Sequence, residues 1–433
     1  MRVNAILQSG LKVDRATVTG YAQLLGGSVG RLVISLVYFI SVANTLSVGD
    51  FGLFATASAV GITLSRIGAF GFVSPLYRIS TRKPHLVGTY TAGLLAAFAA
   101  SLPFVALVAL VLFLLFFEGQ MAPVAFAAII VAEVALWRAL EVVCIVNNGL
   151  HRFGRGAVTV ILGSAVRALA AFGFALSSDG SLLTWSLVYL AANAVATVLA
   201  IALFYPRVRL RFVPRVYLAR WRDSVTVAAA EVSFYVQSDL DKLLVLALAG
   251  AQTAGLYAIL MRLVDLTALP VRSFNTMVVQ RLMRKPGWLS SWKKRWGLEA
   301  AIAAVSIGGL GFLGTVLHFF PTALGRNVAD IAPLVLLALL VPAFRNVIEY
   351  QSDLLYARGR TGVRVLILLM LGVMKAGFLS LLLTNDFGAS HWVVGLNGVF
   401  AVLWLASMTT TYIALDGRPL AAPRFRRSRQ LPG

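Results

Sequence analysis

Six charged side chains lie inside the two apolar helices that make up residues 233–281, ahead of the basic connection in which Arg281 falls. Asp239, Asp241 and Lys242 fall in the first helix, and Arg262, Asp265 and Arg272 in the second. The small-residue turn AGAQTAG joins them. An ionisable group at membrane depth costs about 2.5–3.5 kcal/mol on insertion scales, so it faces a partner or a wet cavity. Six in one hairpin imply a polar interior.

More charge sits inside other apolar runs: the bases Arg31, Arg66, Arg138, Arg167, Arg345 and Lys375, and the acids Glu133, Glu141, Glu231, Glu349 and Asp353. Residues three or four apart share a helix face. That spacing pairs Arg138 with Glu141, Asp239 with Lys242, Arg262 with Asp265, and Arg345 with Glu349. Such pairs either hold helices in register or serve a site. Arg31, Arg66, Arg167 and Lys375 have no acid at this spacing. Arg31 and Arg66 sit near the middle of their runs, where reaching the surface is hard, so a cleft-facing position is expected. Arginine suits the holding of phosphate because its fork donates paired bonds and keeps its charge when desolvated. Asp239 and Asp241, carboxylates in mid-span, are the candidates for ion coupling.

These groups need elements that carry them through a bilayer. Hydrophobic residues make up 59% of the 433-residue chain and charged residues 13%, whereas soluble domains sit near about 45–50% and about 25%. Runs of roughly 20 apolar residues span a bilayer core. Twelve are predicted, at about 18–44, 51–77, 88–117, 122–146, 157–177, 182–205, 224–249, 255–279, 297–320, 331–354, 363–383 and 391–415. They are too long for barrel strands and lack period-two alternation. The expected fold is an all-α integral membrane protein of two six-helix bundles.

Lys and Arg set the orientation. The connections that fall on the side of the N-terminus hold 28 of the 38 basic residues, and those on the other side hold one, Arg326. Both termini are therefore expected in the cytoplasm. The net charge of +21 then reads as basic loops lying against anionic lipid, not as a nucleic-acid surface. The expected organisation is a cytoplasmic segment 1–17, a bundle 18–205, a basic linker 206–223, a bundle 224–415 and a basic tail 416–433. No cleavable signal peptide is expected before the first run.

Across the linker a repeat appears: Phe51-Gly52-Leu53-Phe54 matches Ala254-Gly255-Leu256-Tyr257 at an offset of 203 residues. Both copies enter from the same side, so the halves are parallel repeats about an axis along the membrane normal, with a cleft between them. Other matches carry no chemistry. Gly309, Gly311 and Gly314 fit a dinucleotide spacing but lie inside a span without a strand before it. His85, His151, His318 and His391 have no metal-ligand spacing, and Cys144 is a lone cysteine in an apolar run. No metal or cofactor is expected.

The segment LSVGDFGLF (46–54), the pair Asp241-Lys242, and Ala254-Gly255-Leu256-Tyr257 resemble the multidrug/oligosaccharidyl-lipid/polysaccharide (MOP) exporter superfamily, and within it the bacterial polysaccharide repeat-unit flippases. The resemblance covers nearly the whole chain. It implies a V-shaped pair of bundles in the bacterial inner membrane, acting without catalysis. The implied substrate is an undecaprenyl-diphosphate-linked oligosaccharide, moved from the inner to the outer leaflet for cell-surface polysaccharide synthesis. It also implies a cationic cavity, placed here on Arg31, Arg66, Arg262, Arg272, Arg345 and Lys375. Membrane lipids and other polysaccharide-assembly membrane proteins are the expected partners. Two alternatives stand beside this reading: a drug or cation exporter of the same superfamily, and a polysaccharide polymerase or ligase. An exporter of cations favours a net acidic cleft. A polymerase or ligase needs a large outer loop with catalytic residues, and the outer connections here are short.

Overall fold

The computed structural model describes residues 30, 33–176, 180–284, 289, 291–384 and 389–416. Arg31, the segment 1–17 and all of the basic tail after Asp416 lie outside the described residues. The described chain is helical with short connections. In order, the helices are α1 (Val33–Thr45), α2 (Val48–Ile67), α3 (Val73–Arg82), α4 (Val87–Phe116), α5 (Pro123–Val131) and α6 (Arg138–Gly149). Next come α7 (Phe153–Ala175), α8 (Leu182–Phe204), α9 (Pro214–Leu218), α10 (Trp221–Asp239) and α11 (Asp241–Arg284). The series closes with α12 (Trp292–Phe319), α13 (Val341–Ala357), α14 (Thr361–Thr384) and α15 (Ala389–Asp416).

Every predicted span falls on helix where it is described. By length and apolarity, eight helical runs among the described residues are able to cross a membrane, and nine with the bent pair 332–357. The difference from twelve has local causes. One run, Trp221–Val279, contains two predicted spans, and Gly250 breaks it at φ 78° inside the expected AGAQTAG turn. The span 122–146 is divided by a π-helical turn at Ala132–Trp137, and only part of the first span is described. The span 51–77 is broken too: helix α2 stops at Ile67, and Ala69 and Phe70 both take positive φ before α3 begins. Two successive non-glycine residues in that region are strained.

Helix α2 starts where LSVGDFG predicts, for a nameable reason. The Ser47 hydroxyl accepts from the Asp50 N–H at 3.0 Å and donates to the Asp50 carboxylate at 2.8 Å, which satisfies an orphan donor of the first turn. The glycines of the repeat then explain the packing. A Cβ on Gly52 would lie 2.5 Å from Ala251 O, and one on Gly255 would lie 2.0 Å from Val48 O. The offset of 203 equates Gly52 with Gly255 and Val48 with Ala251. Equivalent residues thus contact each other reciprocally, as residues beside a two-fold axis must.

Helices α2–α8 pack among themselves, with α1 joined to them through Tyr38 against Trp185 and Phe39 against Phe51, and α10–α15 do likewise, which gives two bundles. The main seam joins α2 to α11. The largest buried cluster runs through it, from Phe39, Phe51 and Phe54 to Tyr257, Leu260 and Phe400. At the end remote from the basic loops, a pair of amides clasps the bundles. Asn44 Nδ2 donates to Leu324 O at 2.8 Å, and Asn327 Nδ2 donates to Ala43 O and Leu46 O at 2.7 Å each. At the opposite end the ties are ionic, Arg78 to Asp223 and Arg138 to Glu231.

Candidate functional site

A polar cavity of about 390 Å³ lies at the junction of the bundles. Its charged lining is four bases (Arg262, Arg272, Arg345, Lys375) against three acids (Asp239, Asp265, Glu349), so one positive charge remains in excess. Ile62 of α2 and Phe234 and Tyr235 of α10 complete the wall on the facing side. The structure therefore brings together four of the six predicted cavity bases.

The pairings differ from those that helical spacing predicts. Arg138 with Glu141 (2.9 Å) and Asp239 with Lys242 (2.7 Å) form as expected. Arg345 instead takes Asp265 at 3.0 Å, and Glu349 takes Arg272 at 2.9 Å. Partners on facing helices displace the expected partners on the same helix, because packing α11 against α13 lets those side chains meet head-on. Arg262, left without Asp265, donates to the Ser35 hydroxyl of α1 across the seam. Among the described residues it is the one cavity base with no carboxylate at ion-pair distance.

Asp239 and Asp241 flank an interruption, not a continuous helix. Helix α10 ends at Asp239 and α11 begins at Asp241, with Leu240 between them. Broken helices at membrane depth occur where backbone lines a cavity or is re-satisfied by side chains; here Asp241 accepts from the Lys242 N–H at 2.9 Å. Asp239 reaches the cavity, whereas Asp241 lies behind it. Asp241 is paired with Lys375 and accepts from the Tyr257 hydroxyl at 2.6 Å. Both members of this pair are buried, at 6% and 4% exposure. The lysine also donates to Gln237 O at 3.1 Å and lies 5.4 Å from the centre of the Phe400 ring.

Arg66 is not on the cavity wall itself. It sits in the last turn of α2 beside the strained turn, buried, and grips Glu141 with two bonds of 2.8 and 3.0 Å. Its guanidinium lies 4.6 Å over the ring of Tyr235, which does line the cavity. Glu141 also holds Arg138, and Arg138 reaches Glu231 at 3.1 Å. This network sits at the seam between α2, α6 and α10.

Two ionic clusters escape the spacing argument. Glu133, 1% exposed, lies in the π-turn and accepts from Ser58 at 2.8 Å and from Tyr189. Arg167 stands 3.5 Å from it, bonds Asn193 at 2.8 Å and stacks over Trp137 at 3.6 Å. Arg167 is thus an intramembrane base whose acid comes from another helix. Glu299, also buried, accepts from Gln351 at 2.7 Å and Tyr412 at 2.6 Å. The sequence signal for both acids is only their presence in an apolar run.

No protein-family model matches the chain, and no curated protein matches it. Solved structures do. The inward-facing conformation of a multidrug resistance MATE family transporter of the MOP superfamily superposes with a TM-score of 0.61 at 14% identity, over 89% of this chain and 95% of that one. An outward-facing conformation of a MATE family transporter gives 0.57 at 12% identity over 90% and 95%. A Pyrococcus furiosus MOP superfamily transporter, described by the reverse polarity of its binding pocket, gives 0.51 at 13% identity over 90% of this chain and 93% of that one. The chain has the fold of these transporters.

Proposed function

We propose that the chain is a transporter that moves an anionic lipid-linked oligosaccharide, an undecaprenyl-diphosphate repeat unit, across the bacterial inner membrane by alternating access. The observation that carries this reading is the cavity at the seam, with its surplus base Arg262 free of any acidic partner among the described residues. An anion leaving water for a low-dielectric core loses its hydration. Charge-assisted bonds from Arg262, Arg272 and Arg345 replace that hydration, while the lipid tail stays in the bilayer. The bundles 18–205 and 224–415 rock about their shared axis, and the basic loops face the cytoplasm, where they gather anionic headgroups.

A second reading has its own support. The cavity also holds Asp239, Asp265 and Glu349, and two of the structural neighbours are both described as multidrug resistance MATE family transporters. A drug or cation exporter would use those acids. The two readings separate in cells lacking the gene. Restored polysaccharide export by the wild-type chain, lost with Arg262→Ala together with Arg345→Ala at equal membrane level, supports the flippase. Unchanged polysaccharide with altered drug susceptibility supports the exporter instead.

A further inference from the structure

Outside the central cavity, a groove of about 580 Å³ lies in the first bundle, between α4, α6 and α8. Its walls are apolar: Leu94, Leu95 and Phe98 from α4, Val142 from α6, Ile201 from α8. Thr91 and Tyr205, which also line it, are hydrogen-bonded to each other at 2.6 Å. Leu95 is 53% and Ile201 47% exposed, so the groove opens sideways toward the surrounding lipid. Linker residues 205–208 close its end nearest the basic loops. The linker is fixed there, since a Cβ on Gly88 would sit 2.2 Å from Arg209 O.

Two cations break the apolar lining, Arg207 at the linker end and Arg138 on the inner wall. Arg138 is buried, and its Nε has no partner. Its Nη1 leads inward through Glu141 to Arg66, while its Nη2 holds Glu231, and Arg66 lies over Tyr235 of the central cavity. One ionic chain therefore runs from the wall of the groove to the wall of the cavity. The weak link is Glu231: its side chain is 40% exposed and it holds Arg138 by a single bond of 3.1 Å. An incoming diphosphate, with more charge and more acceptor atoms, exchanges with Glu231 and takes the vacant Nε as well.

We propose that this groove is the binding site for the polyisoprenoid tail of a lipid diphosphate, with Arg138 at the point where tail meets headgroup. The argument for this occupant is complementarity on both counts: an apolar trough open to lipid, and a buried cation with an unused donor at its inner edge. The site rests on the transport reading above, and it fixes something that reading leaves open. The tail is held by the first bundle while the sugar-bearing head enters the cavity lined mainly by the second. Tail and head thus contact different rigid bodies, so the substrate itself spans the moving seam.

The test uses the purified full-length chain in detergent, titrated by native mass spectrometry with undecaprenyl diphosphate, with geranyl diphosphate (same head, short tail) and with phosphatidylglycerol. Leu95→Trp and Ala202→Trp fill the groove from exposed positions, where folding is least affected. The expected result is at least tenfold tighter binding of the long chain than the short one by the wild type. Either tryptophan variant brings that ratio close to one and leaves geranyl diphosphate binding intact, which also reports an intact fold. A chain-length preference untouched by both variants overturns the groove alone. Phosphatidylglycerol competing on equal terms, and losing its binding in the same variants, makes the groove a general phospholipid site and also overturns it. Failure of the wild type to bind either diphosphate removes the transport reading and this site together.

Discussion

Glu141 is the carboxylate on which the seam between α2, α6 and α10 depends. It accepts two bonds from Arg66 (2.8 and 3.0 Å) and one from Arg138 (2.9 Å). Glu141→Gln keeps the shape and removes the charge. Arg138 then retains Glu231, but Arg66, 7% exposed, loses its carboxylate and keeps at most one bond to the amide oxygen and the face of Tyr235. Removing one partner of a buried ion pair costs about 3–5 kcal/mol, since the other charge stays buried without compensation. The Glu141 side chain is itself 26% exposed, so the lower end applies, about 3 kcal/mol. Equilibrium unfolding in mixed micelles at graded dodecyl sulfate measures it. A second substitution sharpens the test. Arg66→Met in the Glu141→Gln background removes the stranded cation, so the double variant is expected to be more stable than Glu141→Gln alone, with a coupling of about 2 kcal/mol. If Glu141→Gln unfolds within about 0.5 kcal/mol of the wild type, or the double variant is no better than the single, the network does not hold the seam in this way.

Other outcomes follow from the same structure. Gly49→Cys with Ala251→Cys, in a Cys144→Ser background, is expected to form a disulfide that arrests transport reversibly, because a Cβ on Gly49 lies 3.7 Å from the Ala251 Cβ, inside the usual disulfide range; full transport by the oxidised protein contradicts opening at this end. Asp241→Asn strands Lys375 where both are buried, and is expected to lower stability by more than Asp239→Asn, whose ion pair is 22% and 15% exposed. If either aspartate couples transport to an ion gradient, its Asn variant loses the dependence on the proton or sodium gradient; unaltered dependence in both excludes them. Reporter fusions at Arg429 and within 280–296 are expected to report cytoplasm and a fusion at Asp179 the outside, and an external signal at Arg429 reverses the topology.

The spans were legible because apolar length and loop charge act locally along the chain. The bundle axis was legible because a repeat at offset 203 leaves the same small residues in both copies, and Gly52 against Gly255 is where they meet. Of the bases expected in a cavity, Arg262, Arg272, Arg345 and Lys375 line this one, whereas Arg66 does not and Arg31 lies outside the described residues. Their partners were not legible. Spacing along one helix assigns Asp265 to Arg262, but the choice between Arg262, Arg272 and Arg345 depends on how α11 and α13 are rotated against each other, and no periodicity encodes that. The interruptions at Leu240 and at 68–71 were hard to read, since neither contains proline: Leu240 is a single residue between Asp239 and Asp241, and glycines like Gly68 and Gly71 also occur inside spans that stay helical. The apolar groove leaves no sequence signature, because its walls have the composition of any lipid-facing helix.

The two ends of the seam are closed by different chemistry. The clasp of Asn44 and Asn327 is made of neutral amides and backbone carbonyls, and nothing in it responds to dissolved salt. The tie between Arg78 and Asp223 at the other end joins side chains that are 53% and 37% exposed, and at about 0.15 M salt charges separated by more than about 8 Å are already screened from each other, with exposed pairs weakening further as salt rises. Ionic strength therefore acts on one closure and spares the other. If the two ends open in turn as proposed above, ionic strength becomes a bias on that equilibrium: dilute conditions favour closure of the basic end, and concentrated ones loosen its exposed tie while the amide end stays fastened.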